Sequence, residues 1–571
     1  MNKKDNPVEK VVAKSRGALL SSALFSCAIN ILMLTGPLFM LQVYDRVLTS
    51  RSVPTLITLF ALVVALYLFF GFFDFIRSRI LSRIGFRLDV ELGTIAKRNW
   101  IFSGLGKGQA TSRPLRDLTV IRQFMGSNGL PALFDLPWMP IYLAIVYLLH
   151  VKLGLLATAG AAVVVAATVV SELITKKPVM ESSRWDLSDQ NFSESSNRNA
   201  EAIVAMGMVG NISRYWETIR HKALANSQLA GGRTEAISAI TKTTRMLMQS
   251  AILALGAYLA MFQEITPGTM IASSILATRA LTPLDSAVSN WKNFVRARQS
   301  YNKLKELLSS DSISEQPIDL PDPEGRIEVE KIAKLVRNKK SGEVSTILSG
   351  INFKLEPGDG LGVIGPSASG KSSLARLLVG LGRPDKGELR FDGASFDQWN
   401  PDKVGKFVGY LPQSVELLAG TVAQNIARFE PGASDETIVA AAKLAGVHEL
   451  ILKLPGGYST NLGSEDVLLS GGQAQRIALA RAVYGIPKLV VMDEPNAHLD
   501  MEGDAALTRA IAELRKAGSC IVVMAHRPSA IAAVNKLLML KDGKQVEFGP
   551  KDEVLAKVIK QSKKPDLRAV E

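Results

Sequence analysis

The stretch LGVIGPSASGKSSLARLL, residues 361–378, joins a short apolar strand, a glycine-rich turn and a helical pattern. Its centre, GPSASGKS at 365–372, has the spacing G-x-x-x-x-G-K-[ST]. Glycines in such a turn let the backbone curl around a phosphate, and the N–H groups that open the helix face the same anion. The stretch therefore predicts an α/β P-loop domain that binds ATP. The predicted contacts are Gly365, Pro366, Ser367, Ala368, Ser369, Gly370, Lys371, Ser372 and Ser373.

Within this turn, two side chains have predicted roles of their own. Lys371 is expected to reach the β- and γ-phosphate oxygens, and the Ser372 hydroxyl is expected to bind Mg²⁺.

A second acidic element follows downstream in KLVVMDEP, residues 488–495. Adjacent side chains at a strand end point in different directions, so the two carboxylates are available for different tasks. We predict that Asp493 holds Mg²⁺ and that Glu494 polarises the attacking water. A solvated acidic pair is the alternative, but the four apolar residues before Asp493 favour the catalytic interpretation.

Between these elements lies LSGGQAQRIALARA, residues 469–482, where a Ser-Gly-Gly-Gln turn opens a helix. Such a glycine-rich helix N-terminus is another candidate anion site. The chain thus has two phosphate-binding turns but only one matching lysine and one Mg²⁺ strand.

The first half of the chain contains six long, largely apolar runs. The first has 25 residues without an ionisable side chain, about 37 Å as a helix, which exceeds a hydrocarbon core of roughly 30 Å. The six predicted membrane crossings are 19–43, 53–73, 136–151, 153–171, 246–263 and 265–284. The long connections between the second and third and between the fourth and fifth crossings have helical periodicity, so they are expected to extend the membrane helices into the cytoplasm.

The net charge of +14 is concentrated in the half of the chain that contains these runs. Residues 1–320 contain 34 Lys and Arg against 22 Asp and Glu, whereas residues 321–571 contain 33 against 31. The basic residues flank the crossings on one side, as the positive-inside rule requires, and no aromatic-interleaved basic groove points to nucleic acid. We therefore expect both termini and the ATP-binding half to be cytoplasmic, with no nucleic-acid partner.

The sixth run is the least apolar and contains Arg279. An ionisable residue at membrane depth often faces a wet cavity, which suggests that this run lines the translocation path, with Ser274 and Thr278 accessible to polar reagents. The alternative is that Arg279 snorkels at a helix end.

LSGGQ, together with the two flanking motifs, resembles the signature of ATP-binding cassette (ABC) transporters. The resemblance implies that the turn of one cassette closes over the nucleotide of another, and that a chain with one cassette and six crossings is a half-transporter working as a homodimer. It also implies roles for Gln413 at Mg²⁺ and the attacking water, for Asp500 in the D-loop, and for His526 at the γ-phosphate. The nucleotide contacts implied from the signature and D-loop are Ser470, Gly471, Gly472, Gln473 and Asp500.

One part of the chain departs from the family pattern. The family commonly stacks adenine on an aromatic residue near the start of the cassette, but residues 327–352 contain no Phe, Tyr or Trp. Base stacking there is not expected.

The membrane stretches at 36–56, 134–154 and 199–208 are similar to those of type I secretion transporters, in particular the PrtD-like group that exports proteases and lipases. This similarity implies a multi-pass protein of the bacterial inner membrane, surrounded by lipid. Its implied partners are a periplasmic membrane-fusion adaptor, an outer-membrane tunnel protein and a secreted protein with a C-terminal signal. An exporter of lipids, peptides or small molecules is the alternative, whereas a soluble ATPase of the same superfamily would lack the crossings. Because the first crossing begins by residue 19, no N-terminal peptidase domain is expected.

These observations define an α-helical, six-crossing membrane domain of the ABC exporter type, followed by an α/β cassette. Two cytoplasmic segments, 105–118 and 206–219, are expected to transmit cassette closure to the membrane. The predicted divisions are a cytoplasmic segment 1–18, a transmembrane domain 19–308, a linker 309–326 and a cassette 327–571.

Overall fold

A computed structural model describes residues 6–105, 113–309, 320–337, 344–462, 469–497 and 499–562. The chain divides into two compact units, Met1–Ser312 and Ile313–Glu571. We call them the helical unit and the cassette.

The helical unit consists of helices joined by short turns. A π-helical turn at Val43–Val47 follows the third helix, and a 3₁₀ turn at Leu136–Trp138 follows the seventh. The helices are α1 Pro7–Lys14, α2 Arg16–Leu32, α3 Thr35–Gln42, α4 Leu48–Ser50, α5 Val53–Gly104, α6 Pro114–Met125, α7 Gly129–Asp135, α8 Met139–Leu149, α9 Val151–Arg198, α10 Ala200–Ala205, α11 Val209–Met261, α12 Pro267–Ser289 and α13 Trp291–Ser309.

The long helices extend well beyond the predicted crossings. Helix α5 has 52 residues, about 78 Å at 1.5 Å per residue, and α9 and α11 have 48 and 53. The predicted helical character of the long connections is therefore confirmed for the residues that the structure describes.

Four helical stretches in the described part of the chain are long and apolar enough to cross a membrane. They are Arg16–Ser50, Val53–Gly104, Gly129–Leu149 and Val151–Arg198. The fifth and sixth predicted crossings lie in α11 and α12, so the count of six stays a prediction.

In the helical unit, many apolar side chains are exposed and several polar side chains are buried. Leu68 and Leu148 are 71% and 86% exposed, whereas Ser26, Asn30 and Arg77 are buried. Such an apolar exterior suits a hydrocarbon environment, where polar groups gain by facing one another inside the bundle.

The cassette contains a ten-stranded sheet with helices on both faces. Its strands are β1 Ile327–Arg337, β2 Val344–Leu355, β3 Gly360–Ile364, β4 Lys386–Phe391, β5 Ala394–Ser395, β6 Val408–Leu411, β7 Leu489–Asp493, β8 Cys520–Met524, β9 Lys536–Lys541 and β10 Lys544–Pro550. Its helices are α14 Lys371–Leu378, α15 Pro401–Val404, α16 Val422–Ile426, α17 Asp435–Leu444, α18 His448–Leu452, α19 Gly471–Val483, α20 Met501–Lys516 and α21 Lys551–Ser562.

The strand order is β5-β4-β1-β2-β10-β9-β3-β8-β7-β6, and the run from β9 to β6 is parallel throughout. All five residues of β7 and of β8 are buried, as expected for central strands covered on both faces. Because these strands are parallel, β3, β6, β7 and β8 all end at one edge of the sheet. The predicted α/β cassette is confirmed, and this edge is where its polar motifs lie.

Candidate nucleotide-binding site

The loop between β3 and α14 is shaped by glycines in backbone conformations that other residues rarely adopt. Gly365 has φ 156°, and a Cβ there would collide with the carbonyl oxygen of Leu540. Gly370 has φ 95° and immediately precedes α14. The loop can therefore pass close to strand β9 and still present the first N–H groups of α14 to an anion.

The Lys371 side chain folds back onto this loop. Its Nζ donates hydrogen bonds to the carbonyl oxygens of Gly365 and Pro366, both at 2.8 Å, and the residue is only 5% exposed. Burial lowers the pKa of Lys371, an effect opposed by the carboxylates of Glu494 and Asp493. A cation held this way, with its charge only partly balanced, is suited to binding phosphate oxygens.

Asp493 ends the buried strand β7 next to this lysine and is 3% exposed. Its carboxylate forms a hydrogen bond with the Ser372 side chain, yet its Oδ1 is buried without a partner among the described residues. Burial raises the pKa of Asp493; the hydrogen bond from Ser372 opposes this shift, and the neighbouring Glu494 adds to it. A carboxylate and a hydroxyl with one oxygen uncommitted fit the oxygen ligands that Mg²⁺ prefers.

Glu494 lies at the centre of a three-residue contact at the same edge. Its Oε2 accepts a hydrogen bond from Nε2 of Gln413 at 3.1 Å, and its Oε1 lies 3.0 Å from Nε2 of His526. Gln413 follows β6 and His526 follows β8, so three neighbouring strand ends supply the group. The structure brings together the three residues predicted to be catalytic.

The backbone of Glu494 is itself unusual. Its φ of 52° lies in the left-handed region, which costs a non-glycine residue on the order of 1–3 kcal/mol. A hydrogen bond from its N–H to the carbonyl oxygen of Met524, at 3.0 Å, contributes to holding it there.

The signature turn opens α19 through a reciprocal cap. Ser470 Oγ accepts from the backbone N–H of Gln473 at 3.3 Å, and Gln473 Oε1 accepts from the backbone N–H of Ser470 at 3.0 Å. Gly471 and Gly472 form the first positions of the helix. Among the described residues, no hydrogen bond or ion pair joins 470–473 to 365–373, so a single chain leaves the two phosphate-binding turns without a direct bond.

Asp500 begins α20 and contacts the signature helix. Its Oδ1 accepts from the backbone N–H of Gly503 at 2.8 Å and pairs with a guanidinium nitrogen of Arg476 at 2.5 Å. These contacts, the first of them most strongly, lower the pKa of Asp500. The D-loop carboxylate is thus tied to its own chain's signature helix.

Comparison with known proteins agrees with this geometry. A family described as "ABC transporter" matches residues 348–497, and one described as "ABC transporter transmembrane region" matches residues 19–284. The chain is 44% identical, over 95% of its length and 93% of the relative's, to the type I secretion system ATP-binding protein PrsD of Rhizobium meliloti.

The chain belongs to the ABC transporter family.

More distant relatives cover the chain equally well. It is 29% identical to the toxin RTX-I translocation ATP-binding protein of Actinobacillus pleuropneumoniae and 28% identical to the alpha-hemolysin translocation ATP-binding protein HlyB of Escherichia coli, in both cases over 95% of this chain and 77% of the relative. A bacterial Atm1-family ABC exporter with ATP bound superposes with a TM-score of 0.78 at 20% identity, covering 97% of this chain and 99% of that one. The predicted ABC exporter fold is confirmed, and the chain is an ATP-hydrolysing, multi-pass membrane transporter.

Sequence reasoning missed the contacts of two residues of the transporter's site. Gln475 is 2% exposed and donates to the backbone next to Glu494, and Arg476 makes the contact with Asp500. Position 475 lies four residues before the buried Leu479, on the inward helical face, so a glutamine there signalled a buried polar contact.

The prediction for α12 needs a correction at Ser274. This side chain is 4% exposed and its Oγ bonds the carbonyl oxygen of Gln249 in α11 at 3.4 Å, so it packs between helices rather than facing an open path. Arg279 is exposed, whereas Thr278 is partly buried and bonds the carbonyl oxygen of Ser274. A serine can satisfy its hydroxyl within a bundle, which the sequence pattern does not distinguish from lining a cavity.

Two further expectations reach beyond the described residues. Residues 106–112 of the segment 105–118, and 338–343 of the segment 327–352, lie outside them. Transmission through 105–118 and the absence of adenine stacking therefore stay predictions.

Proposed function

We propose that this chain is the ATP-hydrolysing half of a homodimeric exporter that energises protein secretion across the bacterial inner membrane in a type I secretion system. The observation that carries the hydrolytic part is the meeting of Gln413 and His526 on the two carboxylate oxygens of Glu494. The protein cargo is supported by the 44% identity to a type I secretion protein and by the two toxin-translocation relatives.

Each predicted residue has a chemical task at this edge. The loop 365–373 and Lys371 hold the phosphates of ATP, and Asp493 with Ser372 and Gln413 holds Mg²⁺, which supplies charge neutralisation of the phosphates when bound. Glu494 orients the attacking water and accepts its proton, with Gln413 and His526 fixing the direction of the carboxylate. From the neighbouring strand end, His526 would also contact the γ-phosphate.

A second copy completes the site. The cap uses the N–H groups of Ser470 and Gln473, and the turn makes no bond to its own phosphate loop in the described residues. The N–H groups of Gly471 and Gly472 are therefore available to a nucleotide held by the partner. Two ATP molecules would then sit between the two cassettes, with Asp500 next to the junction. Closure and reopening of the cassettes would move the membrane helices through 105–118 and 206–219.

The surroundings follow from the same proposal. Both termini, the linker 309–326 and the cassette 327–571 lie in the cytoplasm. The six crossings, all within residues 19–308, lie in lipid. A periplasmic membrane-fusion adaptor and an outer-membrane tunnel protein would complete the route for a secreted protein with a C-terminal signal.

The test compares proteins released by cells that produce wild-type transporter or Glu494→Gln. We expect ATP binding to persist, hydrolysis to fall at least 100-fold and specific secreted proteins to disappear from the medium. Glu513→Gln serves as a control, because Glu513 is an exposed residue of α20 that pairs with Lys516. Unchanged hydrolysis in Glu494→Gln would refute the catalytic assignment. An unchanged set of secreted proteins, with altered lipid or small-molecule export, would refute the protein cargo.

A further inference from the structure

The signature helix contacts the backbone beside the catalytic carboxylate through Gln475. Nε2 of this buried side chain donates to the carbonyl oxygen of Pro495 at 2.7 Å and lies 3.4 Å from the carbonyl oxygen of Glu494. Only the amide nitrogen can make these bonds, because carbonyl oxygens do not donate. The chemistry therefore fixes which way the amide points.

This contact falls at the strained part of the chain. Glu494 has φ 52°, and its N–H is held on one side by the carbonyl oxygen of Met524. Gln475 lies within hydrogen-bonding distance of the carbonyl oxygens of Glu494 and Pro495, which follow that N–H along the backbone. The backbone at Glu494 is therefore held through both its N–H and its C=O side. A strained residue persists only where its surroundings fix it, and here the strained residue is the one that aims the carboxylate.

The next residue of the same helix, Arg476, makes a second contact with this part of the chain. Arg476 pairs with Asp500, five residues after Pro495. Two consecutive residues of α19, Gln475 and Arg476, thus bond the segment that runs from the catalytic glutamate to the D-loop. They lie within one helical turn of the Ser470–Gln473 turn that opens the helix.

We propose that Gln475 is a positioning residue that holds Glu494 in its left-handed conformation and connects the signature turn to the catalytic carboxylate of the same chain. The inference rests on the proposed function, in which Glu494 acts on ATP bound to its own phosphate loop while the turn contacts ATP bound to the partner. Occupation of one ATP site then alters the aim of Glu494 in the other site through α19. Gln475 adds no group to the reaction itself and acts only through Glu494.

The first experiment measures steady-state ATP hydrolysis by the full-length protein carrying Gln475→Met, which keeps the side-chain length but has no donor. We expect kcat to fall 10- to 100-fold, KM for ATP to change less than threefold, and the Hill coefficient for ATP to move toward 1. The control is Asn425→Leu, because Asn425 is another fully buried amide that bonds backbone carbonyls, those of Leu418 and Thr421, away from Glu494. If the two variants lose the same kcat per folded protein, the positioning role is wrong.

A second experiment asks whether the donated proton matters. Gln475→Glu has the same shape but cannot donate while ionised, and burial raises the pKa of a carboxyl group. We expect its activity relative to wild type to rise as pH falls from 8 to 6, whereas the relative activity of Gln475→Met stays flat. Parallel profiles for the two variants would overturn the proposal.

The outcome also separates this inference from the proposed function. If Glu494→Gln keeps hydrolysing ATP, the catalytic assignment itself fails. If Glu494→Gln is inactive while Gln475→Met has normal kcat and Hill coefficient, only the positioning role fails.

Discussion

Two polar clusters in this transporter differ in whether both oxygens of their carboxylate are paired. In the helical unit, the Arg77 cluster consists of Ser26, Asn30, Arg77, Asp135 and Tyr142. In the cassette, the phosphate edge consists of Ser369, Lys371, Ser372, Asp493 and Glu494. Both contain buried polar side chains, but their polar atoms are used differently.

The Arg77 cluster pairs both oxygens of its carboxylate, Asp135, although Arg77 Nε is buried without a partner among the described residues. NH1 of Arg77 lies 3.0 Å from Ser26 Oγ and 3.2 Å from Asp135 Oδ1, and Asn30 Nδ2 donates to that same Oδ1 at 2.7 Å. The Tyr142 hydroxyl donates to the carbonyl oxygen of Asn30 at 2.8 Å. These residues come from α2, α5, α7 and α8, so the cluster holds four helices together.

The phosphate edge leaves polar atoms uncommitted. Asp493 Oδ1 and Ser369 Oγ are buried without a partner among the described residues, and Lys371 satisfies its ammonium group with two loop carbonyls. A carboxylate whose two oxygens are both paired stabilises the fold, whereas a buried carboxylate with an unpaired oxygen is prepared for a ligand.

The largest expected effect is on stability in the helical unit. Asp135→Ala removes one of the two carboxylates that pair with the buried Arg77 and leaves Asp74, whose Oδ1 lies 2.7 Å from Arg77 NH2, so we expect a loss of about 3 kcal/mol in the free energy of unfolding. The measurement is the thermal unfolding midpoint of the full-length protein in lipid nanodiscs. The control is Asp89→Ala, because Asp89 pairs with the exposed Arg122 and is expected to contribute at most about 1 kcal/mol. If both variants lost the same stability, the buried pair of Arg77 and Asp135 would contribute no more than the exposed pair of Arg122 and Asp89.

The next effect is on activity rather than on folding. Lys371→Ala should reduce ATP hydrolysis at least 100-fold, about 2.7 kcal/mol, because the cation at the phosphates is lost. The unfolding midpoint should change little, since the hydrogen bonds of Lys371 Nζ in the described residues go to two carbonyl oxygens of its own loop. Lys536→Ala is the matched control: Lys536 forms an ion pair with Asp359 at 2.7 Å, so its loss should lower stability and spare hydrolysis per folded protein. If Lys371→Ala instead lowered stability and Lys536→Ala reduced hydrolysis, the proposed difference between a ligand-binding and a structural lysine would be wrong.

At Asp493, a substitution is expected to raise the free energy of unfolding, by less than Asp135→Ala lowers it. Asp493→Asn removes a buried charge with an unpaired oxygen, so without ATP and Mg²⁺ the protein should gain about 1 kcal/mol of stability while losing hydrolysis. Burial raises the pKa of Asp493, so the folded state takes up a proton more readily than the unfolded state. In the wild type, the destabilisation caused by the buried Asp493 charge therefore decreases as pH falls through the raised pKa. The stability gap between Asp493→Asn and wild type should be largest near pH 8 and shrink toward pH 5, measured by unfolding midpoints; a constant gap would contradict this origin.

The smallest effect is expected at Ser369. Because its buried hydroxyl has no partner, Ser369→Ala should leave stability unchanged but weaken ATP binding about fivefold, roughly 1 kcal/mol, as measured by equilibrium binding to the full-length protein. Ser519→Ala is the opposite case, since the buried Ser519 hydroxyl donates to the carbonyl oxygen of Pro487 at 2.6 Å. That variant should lose about 1 kcal/mol of stability and bind ATP normally. A stability loss in Ser369→Ala would show that this hydroxyl has a structural role.

Local motifs carried most of what could be predicted about the site. The phosphate loop, the acidic pair after β7 and the signature turn are each contained in a short run of residues, and each was placed correctly on its strand or helix. Gln413 and His526 required the family resemblance, since a lone glutamine or histidine after a strand has no distinctive spacing. The contact of both with Glu494 comes from parallel strands that end at the same edge.

Several features had no sequence signal of this kind. Asp135 is 58 residues from Arg77, and the apolar runs around them predict a membrane but no particular pairing. The burial of Ser274 likewise depends on which face of α12 packs against α11, and the pattern of small and polar residues fits either face.

The sequence by itself determined the α/β cassette, the long apolar runs and the glycine-rich loop between β3 and α14, because glycine spacing, strand hydrophobicity and run length act over a few neighbouring residues. Only the tertiary structure decided that Gln413, Glu494 and His526 meet, that Gln475 fastens the strained peptide beside Glu494, and that Arg77 pairs with Asp135. These contacts join residues from separate strands and helices, and their partners are fixed by sheet order and helix packing rather than by spacing along the chain.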